Sequence, residues 1–222
     1  MKQRKRGRVV TITTILIIGV MCVVFYQPFM DYLTSQAANP RGFVGGVMTR
    51  IWSNSFRDLS AWTFSLVDIQ APHTVLDVGF GGGANIKHIK AHNAHCVVYG
   101  VDISEEAVKT ATAFNQAHVD TGQVILTVDD VAYLPFADGL FDLVIATQTH
   151  IYWEELEKGL SECYRVLRQG GTLLISSEVD KVDYHLPEYR EAGDFGVLLS
   201  GIGFAEVGVK MRGNYVGFVC EK

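Results

Sequence analysis

Cysteine is scarce and scattered. The four residues, Cys22, Cys96, Cys163 and Cys220, form no C-x-x-C pair, which argues against both a disulfide framework and a zinc knuckle and leaves free thiols in a reducing compartment. Positive charge is short as well. With 19 Lys and Arg against 24 Asp and Glu, the net charge is -5, and the chain lacks the basic surplus with which nucleic-acid enzymes neutralise phosphates. No nucleic-acid partner is expected, and a small or lipophilic substrate fits better. Internal repeats and low-complexity tracts are absent. What is abundant is apolar bulk: at 222 residues and 48% hydrophobic, the chain can bury one substantial core but hardly two.

The first thirty residues differ in kind from the rest. Lys2, Arg4, Lys5, Arg6 and Arg8 precede an uncharged run from Val9 to Tyr26, eighteen residues long. As a helix rising ~1.5 Å per residue, the run reaches roughly 27 Å, just short of a hydrocarbon core of about 30 Å. Residues 1–30 are read as a basic N-terminus and an uncleaved hydrophobic membrane-anchor helix. Two other readings stay open. One is a signal peptide cut behind Ser35-Gln36-Ala37, although that site lies well beyond the apolar run; the other is a true start at Met30.

Asn39-Pro40-Arg41-Gly42 makes a turn-rich joint, and Ile51, Trp52, Phe56, Leu59, Trp62, Phe64 and Leu66 then recur with helical spacing. Residues 31–70 are expected to form a helical cap packed on the following domain, with a minority of these side chains lining a substrate entrance. From Thr74 the pattern becomes short apolar strands alternating with amphipathic helices, the signature of βαβ units and a parallel sheet. The strands are expected at 74–78, 96–101, 124–128, 141–147 and 172–176, with a final antiparallel pair at 205–209 and 215–220. Helices are expected around His88 to Lys90, over 104–118 with Ala107, Ala111 and Phe114 inward, over 154–168 with a stop at Gly170-Gly171, and over 187–199. Residues 71–222 thus read as one α/β domain on a mostly parallel seven-stranded sheet with an antiparallel last strand.

The chemistry sits at the first strand-to-helix turn, Asp77-Val78-Gly79-Phe80-Gly81-Gly82-Gly83, where glycines let backbone approach a ligand closely. Asp102, at the end of strand two, stands where such folds hold a ribose through its hydroxyls. Gly79, Gly81 and Ala84 also satisfy the looser G-x-G-x-x-[GA] pattern of nicotinamide enzymes, so an NAD(P)-dependent oxidoreductase is a second reading. Asp77 separates the two. A carboxylate inside the turn suits a cationic ligand and repels a pyrophosphate, favouring S-adenosylmethionine over NAD.

Val75-Leu76-Asp77-Val78-Gly79-Phe80-Gly81-Gly82-Gly83 resembles motif I of the class I S-adenosylmethionine-dependent methyltransferases. Asp129-Asp130-Val131-Ala132-Tyr133-Leu134-Pro135-Phe136, followed by Phe141-Asp142-Leu143-Val144, is similar to the segment entering strand four in the ubiquinone- and menaquinone-biosynthesis type, whose domain is methyltransferase type 11. Arg165-Val166-Leu167-Arg168-Gln169-Gly170-Gly171 resembles their arginine-valine-leucine-lysine-proline-glycine-glycine block, with Gln169 in place of the proline. The resemblance covers roughly residues 40 to 220 and implies a Rossmann-like sandwich. It implies that Asp77 and the backbone of Gly79 and Gly81 surround the amino-acid part of the cofactor, with Gly83 in the same cofactor-binding turn, that Asp102 holds the ribose with Ile103 against the adenine, that Asp130 accepts from the adenine amino group with Val131 beside it, and that Thr147 lies near the methyl.

The segment after strand four, with His150, Tyr152 and Trp153, borders the expected pocket. His150 and Tyr152 are candidates for acid–base or acceptor contacts, and packing explains each of them equally well. His88, His92 and His95 share a helix face, but with no H-E-x-x-H pattern or nearby acidic partner no metal site is expected. Methyl transfer is an in-line displacement that rests on alignment in a dry pocket, so no obligatory base is required. The anchor suggests a lipid-like acceptor such as a quinone precursor. The positive-inside rule would carry the domain across the membrane, whereas the cofactor is made in the cytosol; a cytoplasm-facing domain is the expectation. A third reading is a membrane-bound protein that keeps the cofactor site without turnover.

Overall fold

The computed structural model describes Tyr26, residues 57–69 and residues 74–222. The hydrophobic run before Tyr26, the joint at 39–42, and Ile51, Trp52 and Phe56 lie outside the described residues. The chain divides into two compact units, residues 1–38 and 39–222. Every element below belongs to the second, and among the described residues no helix is long and apolar enough to cross a membrane.

Helix α1 (Arg57–Phe64) turns Leu59, Trp62, Thr63 and Phe64 inward. Strand β1 (Thr74–Val78) leads through the glycine turn into α2 (Ala84–His92). Then come β2 (Val97–Asp102), α3 (Glu105–Phe114), the short α4 (Gln116–Val119) and β3 (Val124–Val128). After a 3-10 turn at Val131–Tyr133, β4 (Phe141–Thr147) runs into a second 3-10 turn at His150–Tyr152. Helices α5 (Leu156–Val166) and α6 (Val179–His185) flank β5 (Leu167–Glu178). Helix α7 (Ala192–Ile202) precedes the hairpin of β6 (Glu206–Arg212) and β7 (Tyr215–Glu221).

The sheet has seven strands in the order β3-β2-β1-β4-β5-β7-β6. Strands β1 to β5 pair in parallel, and β7 is antiparallel to both its neighbours; β6 therefore runs with the rest. Side chains alternate between two apolar layers, as a two-residue period demands. Leu76, Val144, Leu173 and Ile175 enter one, while Val75, Leu143, Ile145 and Leu174 enter the other. Chain order reverses direction between β1 and β4, which makes their carboxyl ends the topological switch point where such sheets bind ligands.

Strands at 74–78, 124–128 and 141–147 fall where the sequence places them. Other expectations need correction. Asn115 interrupts the helix expected over 104–118: its side chain donates to Gly83 O at 3.1 Å and to Ala111 O at 3.0 Å, ending α3 early. Phe114, expected inward, is 48% exposed with Lys87 Nζ 4.1 Å above its ring. Gly170-Gly171 does not stop the helix. Leu167 already has extended backbone and opens β5, and the glycines lie inside that strand beside the register shift between Phe141 and Leu143. Helix α6 is unforeseen, and the helix expected over 187–199 is a 3-10 turn at Pro187–Tyr189 followed by α7.

Candidate cofactor site

Four strand ends build the site. Asp77 is the penultimate residue of β1, 1% exposed, and its Oδ2 is buried with no hydrogen-bond partner among the described residues. Burial first, and then the neighbouring Asp102 charge, push its carboxyl up to about 7. An unpaired buried carboxylate is costly in a free protein. It is the kind of group a ligand bearing a cation or a hydrogen-bond donor would satisfy.

Asp102 ends β2, and its two oxygens are already engaged by backbone. Oδ2 accepts from Gly81 N at 2.9 Å and Oδ1 from Ser104 N at 3.0 Å. Burial raises its pKa, and those two hydrogen bonds oppose the rise. The Gly81 bond fastens the glycine turn to the tip of β2, as does Gly79 N donating to Val101 O at 2.8 Å. Ser104 also caps α3, its hydroxyl accepting from Ala107 N at 3.2 Å. Ile103, between them, is 47% exposed.

The glycine turn uses left-handed backbone at Gly79, Gly81 and Gly83, which an L side chain adopts only under strain. Two of the three also lack room. A Cβ on Gly79 would stand 2.0 Å from Thr149 Oγ1, and one on Gly83 2.6 Å from Asn115 Nδ2. A Cβ on Gly81 would meet nothing within 4 Å; its backbone faces open space.

Asp129 N donates to Asp102 O at 3.1 Å and draws the exit of β3 to the same edge. Asp130 caps the 3-10 turn there, accepting from Ala132 N at 2.9 Å, and is exposed; Val131 is buried in the core. Thr147 ends β4 with its Oγ1 buried and without a hydrogen-bond partner among the described residues. Asp77, Gly79, Gly81, Asp102, Ile103, Asp130 and Thr147 thus share one edge, while Gly83 and Val131 stand behind it in packed surroundings.

His150 differs from these. It is 1% exposed between Trp153 and Phe195, its Nδ1 has no hydrogen-bond partner among the described residues, and burial lowers its pKa to about 3. The ring is neutral at physiological pH and a feeble proton acceptor. Tyr152 is half-buried, its hydroxyl pKa raised by burial and then by Glu178. His88 stacks between Phe64 and His92, with ring centroids 4.5 and 4.2 Å away, and among the described residues no cluster of three metal-ligating side chains forms.

Two residues of the segment after strand four, Gln148 and Thr149, shape this edge although the sequence assigns neither of them a role. Gln148 has φ 56, the left-handed region. Its amide holds that turn against β5: Oε1 accepts from Ser177 Oγ at 3.0 Å and from Glu178 N at 2.8 Å. Thr149 is the wall against Gly79. A polar pair following a buried strand was the available signal, and only the observed backbone gives it meaning. A cavity of about 240 Å³ lined by Val67, Asp68, Asp142, Leu143, Thr172 and Val219 opens by the first residues of β4, the sheet edge opposite to this chemistry.

Residues 76–175 match the family model described as a methyltransferase domain. The chain is 34% identical over 111 residues to ajmaline N-methyltransferase from Rauvolfia serpentina, an overlap of 50% of this chain and 38% of that protein. It is 31% identical over 129 residues to demethylmenaquinone methyltransferase from Porphyromonas gingivalis, covering 58% and 50% respectively. The matches thus span half or less of either curated relative. Among solved structures, a SAM-dependent methyltransferase from Aquifex aeolicus superposes with a TM-score of 0.67 at 21% identity, over 79% of this chain and 97% of that one.

Proposed function

We infer that this chain, which carries a class I S-adenosylmethionine-dependent methyltransferase domain, transfers a methyl group from that cofactor to a small acceptor. The observation that carries the reading is Asp77: a buried carboxylate with an unpartnered oxygen, beside left-handed glycines, in the turn that faces the switch point. A sulfonium amino acid brings the cation and ammonium that this group lacks. A pyrophosphate would bring more negative charge to a carboxylate that already titrates near neutrality. That disfavours the oxidoreductase reading.

In this reading Asp77, with the backbone of Gly79 and Gly81, receives the amino-acid end of the cofactor. Asp102, held by Gly81 N and Ser104 N, presents its remaining acceptor capacity to the ribose hydroxyls, and exposed Ile103 covers the adenine beside Asp130, with Val131 packed behind that turn. Thr147 borders the acceptor. Bound, the cofactor supplies an activated methyl on a good leaving group; the protein's part is orientation and exclusion of water, worth about 7–11 kcal/mol in well-aligned systems. With its proton affinity so low, His150 acts through packing rather than as a base.

The uncharged run from Val9 to Tyr26 would tie the domain to a membrane and bring lipid-like acceptors within reach, with the site facing the cytoplasm. Incubating membranes with the full chain and methyl-labelled S-adenosylmethionine tests both proposals. Label in extractable lipids supports them, label only in water-soluble products rejects the lipid acceptor, and no label in any acceptor rejects turnover.

A further inference from the structure

The sheet ends at β6, and among the described residues no strand pairs with its outer side. The turn that closes the β6–β7 hairpin fixes which backbone groups that side presents. Of its two central residues, Gly213 and Asn214, only Gly213 is left-handed. That is the pattern of a two-residue turn whose flanking pair, here Arg212 and Tyr215, is hydrogen-bonded. Counting back two at a time, Lys210, Gly208 and Glu206 also bond β7. Ala205 N donates to Glu221 O at 2.9 Å, which shows the Glu221 carbonyl turned toward β6 and agrees with that count. The N–H and C=O groups of Val207, Val209 and Met211 therefore point away from the sheet and offer a ladder to another strand.

Side chains follow the same alternation. Val207 packs on the core, and a Cβ on Gly196 would stand 3.7 Å from its Cγ1. Val207, and with it Val209 and Met211, thus lies on the sheet face that α7 covers. Val209 is 40% and Met211 59% exposed, so apolar side chains continue the covered layer out to the open edge. The opposite face of β6 carries Glu206, Gly208, Lys210 and Arg212. Charge commonly blunts an edge strand. Here the signs are divided between its ends, Glu206 at one and Lys210 with Arg212 at the other.

That division is self-complementary. Val209 is the midpoint of Glu206–Arg212, so an antiparallel copy set with Val209 opposite Val209 is the one register that pairs every residue of β6. It also matches open-edge residue to open-edge residue, as the ladder requires. Val207 then faces Met211 of the second copy on the apolar face, and Glu206 faces Arg212 on the other, each pair made twice by the two-fold axis. Moving the axis to Met211 would set Lys210 against Arg212. Within one copy Glu206 and Arg212 stand at the two ends of one strand, about 20 Å apart and out of each other's reach.

We propose that this chain self-associates through β6 into a two-fold dimer, joining two seven-stranded sheets into one. The interface rests on no part of the methyl-transfer reading. Sedimentation velocity of the full chain in detergent solution, over a concentration series, should show a reversible monomer–dimer equilibrium. Val209→Lys sets two ammonium groups together on the axis and should leave monomer alone. Glu206→Arg and Arg212→Glu should each raise the dimer dissociation constant by about tenfold or more, because each replaces two opposite-charge pairs by like-charge pairs. The double swap, Glu206→Arg with Arg212→Glu, should restore the original constant, which no effect confined to one copy would do. A thermal melt of each variant shows that it is folded. A full chain that stays monomeric throughout, a dimer unaffected by Val209→Lys, or single swaps that the double swap fails to rescue, overturns the interface.

Discussion

Cofactor affinity is expected to weaken in acid as Asp77 takes up its proton. With its carboxyl pushed up to about 7, Asp77 is about half ionised at neutral pH in the free chain. A ligand that sets a cation beside it selects the ionised form and expels the proton. Below pH 7 the apparent affinity should then fall by about tenfold per pH unit, while from pH 7 to 8 it should gain only about twofold. Calorimetry with S-adenosylhomocysteine at pH 5, 6 and 7, in two buffers of different ionisation enthalpy, reads both the slope and the proton count, about one below pH 6 and about one half at pH 7. Asp77→Asn should flatten the slope and cost about 1.5–3 kcal/mol of binding at pH 7, the worth of a charge-assisted hydrogen bond. The same shift acts on the free fold with a definite sign. The folded group holds its proton more tightly than the unfolded chain, where Asp titrates near 3.8. The stability it contributes is thus full below about pH 4 and is lost as pH rises through about 7. Asp77→Asn should accordingly raise the melting temperature of the ligand-free chain at pH 8 while weakening its ligand. An affinity that does not change between pH 5 and 7, or an Asn variant that melts lower at pH 8, would refute this.

Three further outcomes are expected. Gly79→Ala places a Cβ 2.0 Å from Thr149 Oγ1 at φ +69; it should cost about 1–3 kcal/mol of stability and most of the cofactor affinity, and Gly79→Ala with Thr149→Gly should recover only the part due to the clash. Phe141 is fully buried against Tyr99 and Phe136. Phe141→Ala should lower unfolding free energy in urea by about 3–5 kcal/mol, and a loss under about 1 kcal/mol would contradict this packing. His150→Phe should leave the pH–rate profile without a lost inflection near 6.5, because the buried ring titrates near 3; disappearance of such an inflection in the variant would restore His150 as a base.

How much of this was legible in the sequence depends on what fixed each feature. Strands β1 and β4 are short, nearly continuous apolar runs of the kind a sheet covered on both faces requires, and β3 is a mostly β-branched run of β1's length; the glycine turn announces itself by composition. Asp77 stands out by its place inside the glycine turn, and Asp102 by its place at the end of strand two, where such folds hold a ribose. Gly170-Gly171 has the composition of a helix stop, whereas the chain switches to extended backbone at Leu167, where it pairs with β4; pairing with a distant strand outweighs the local signal. Periodicity alone turns Phe114 inward, yet Asn115 closes α3 at that point and leaves the ring under Lys87.

The most direct trial of the cofactor assignment is equilibrium dialysis of the full chain against methyl-tritiated S-adenosylmethionine, with S-adenosylhomocysteine or NAD as competitor. We expect label to be retained, displaced by S-adenosylhomocysteine but not by NAD, and lost in the Asp77→Asn/Asp102→Asn double variant. No retention, displacement by NAD, or undiminished retention in a folded double variant would contradict it.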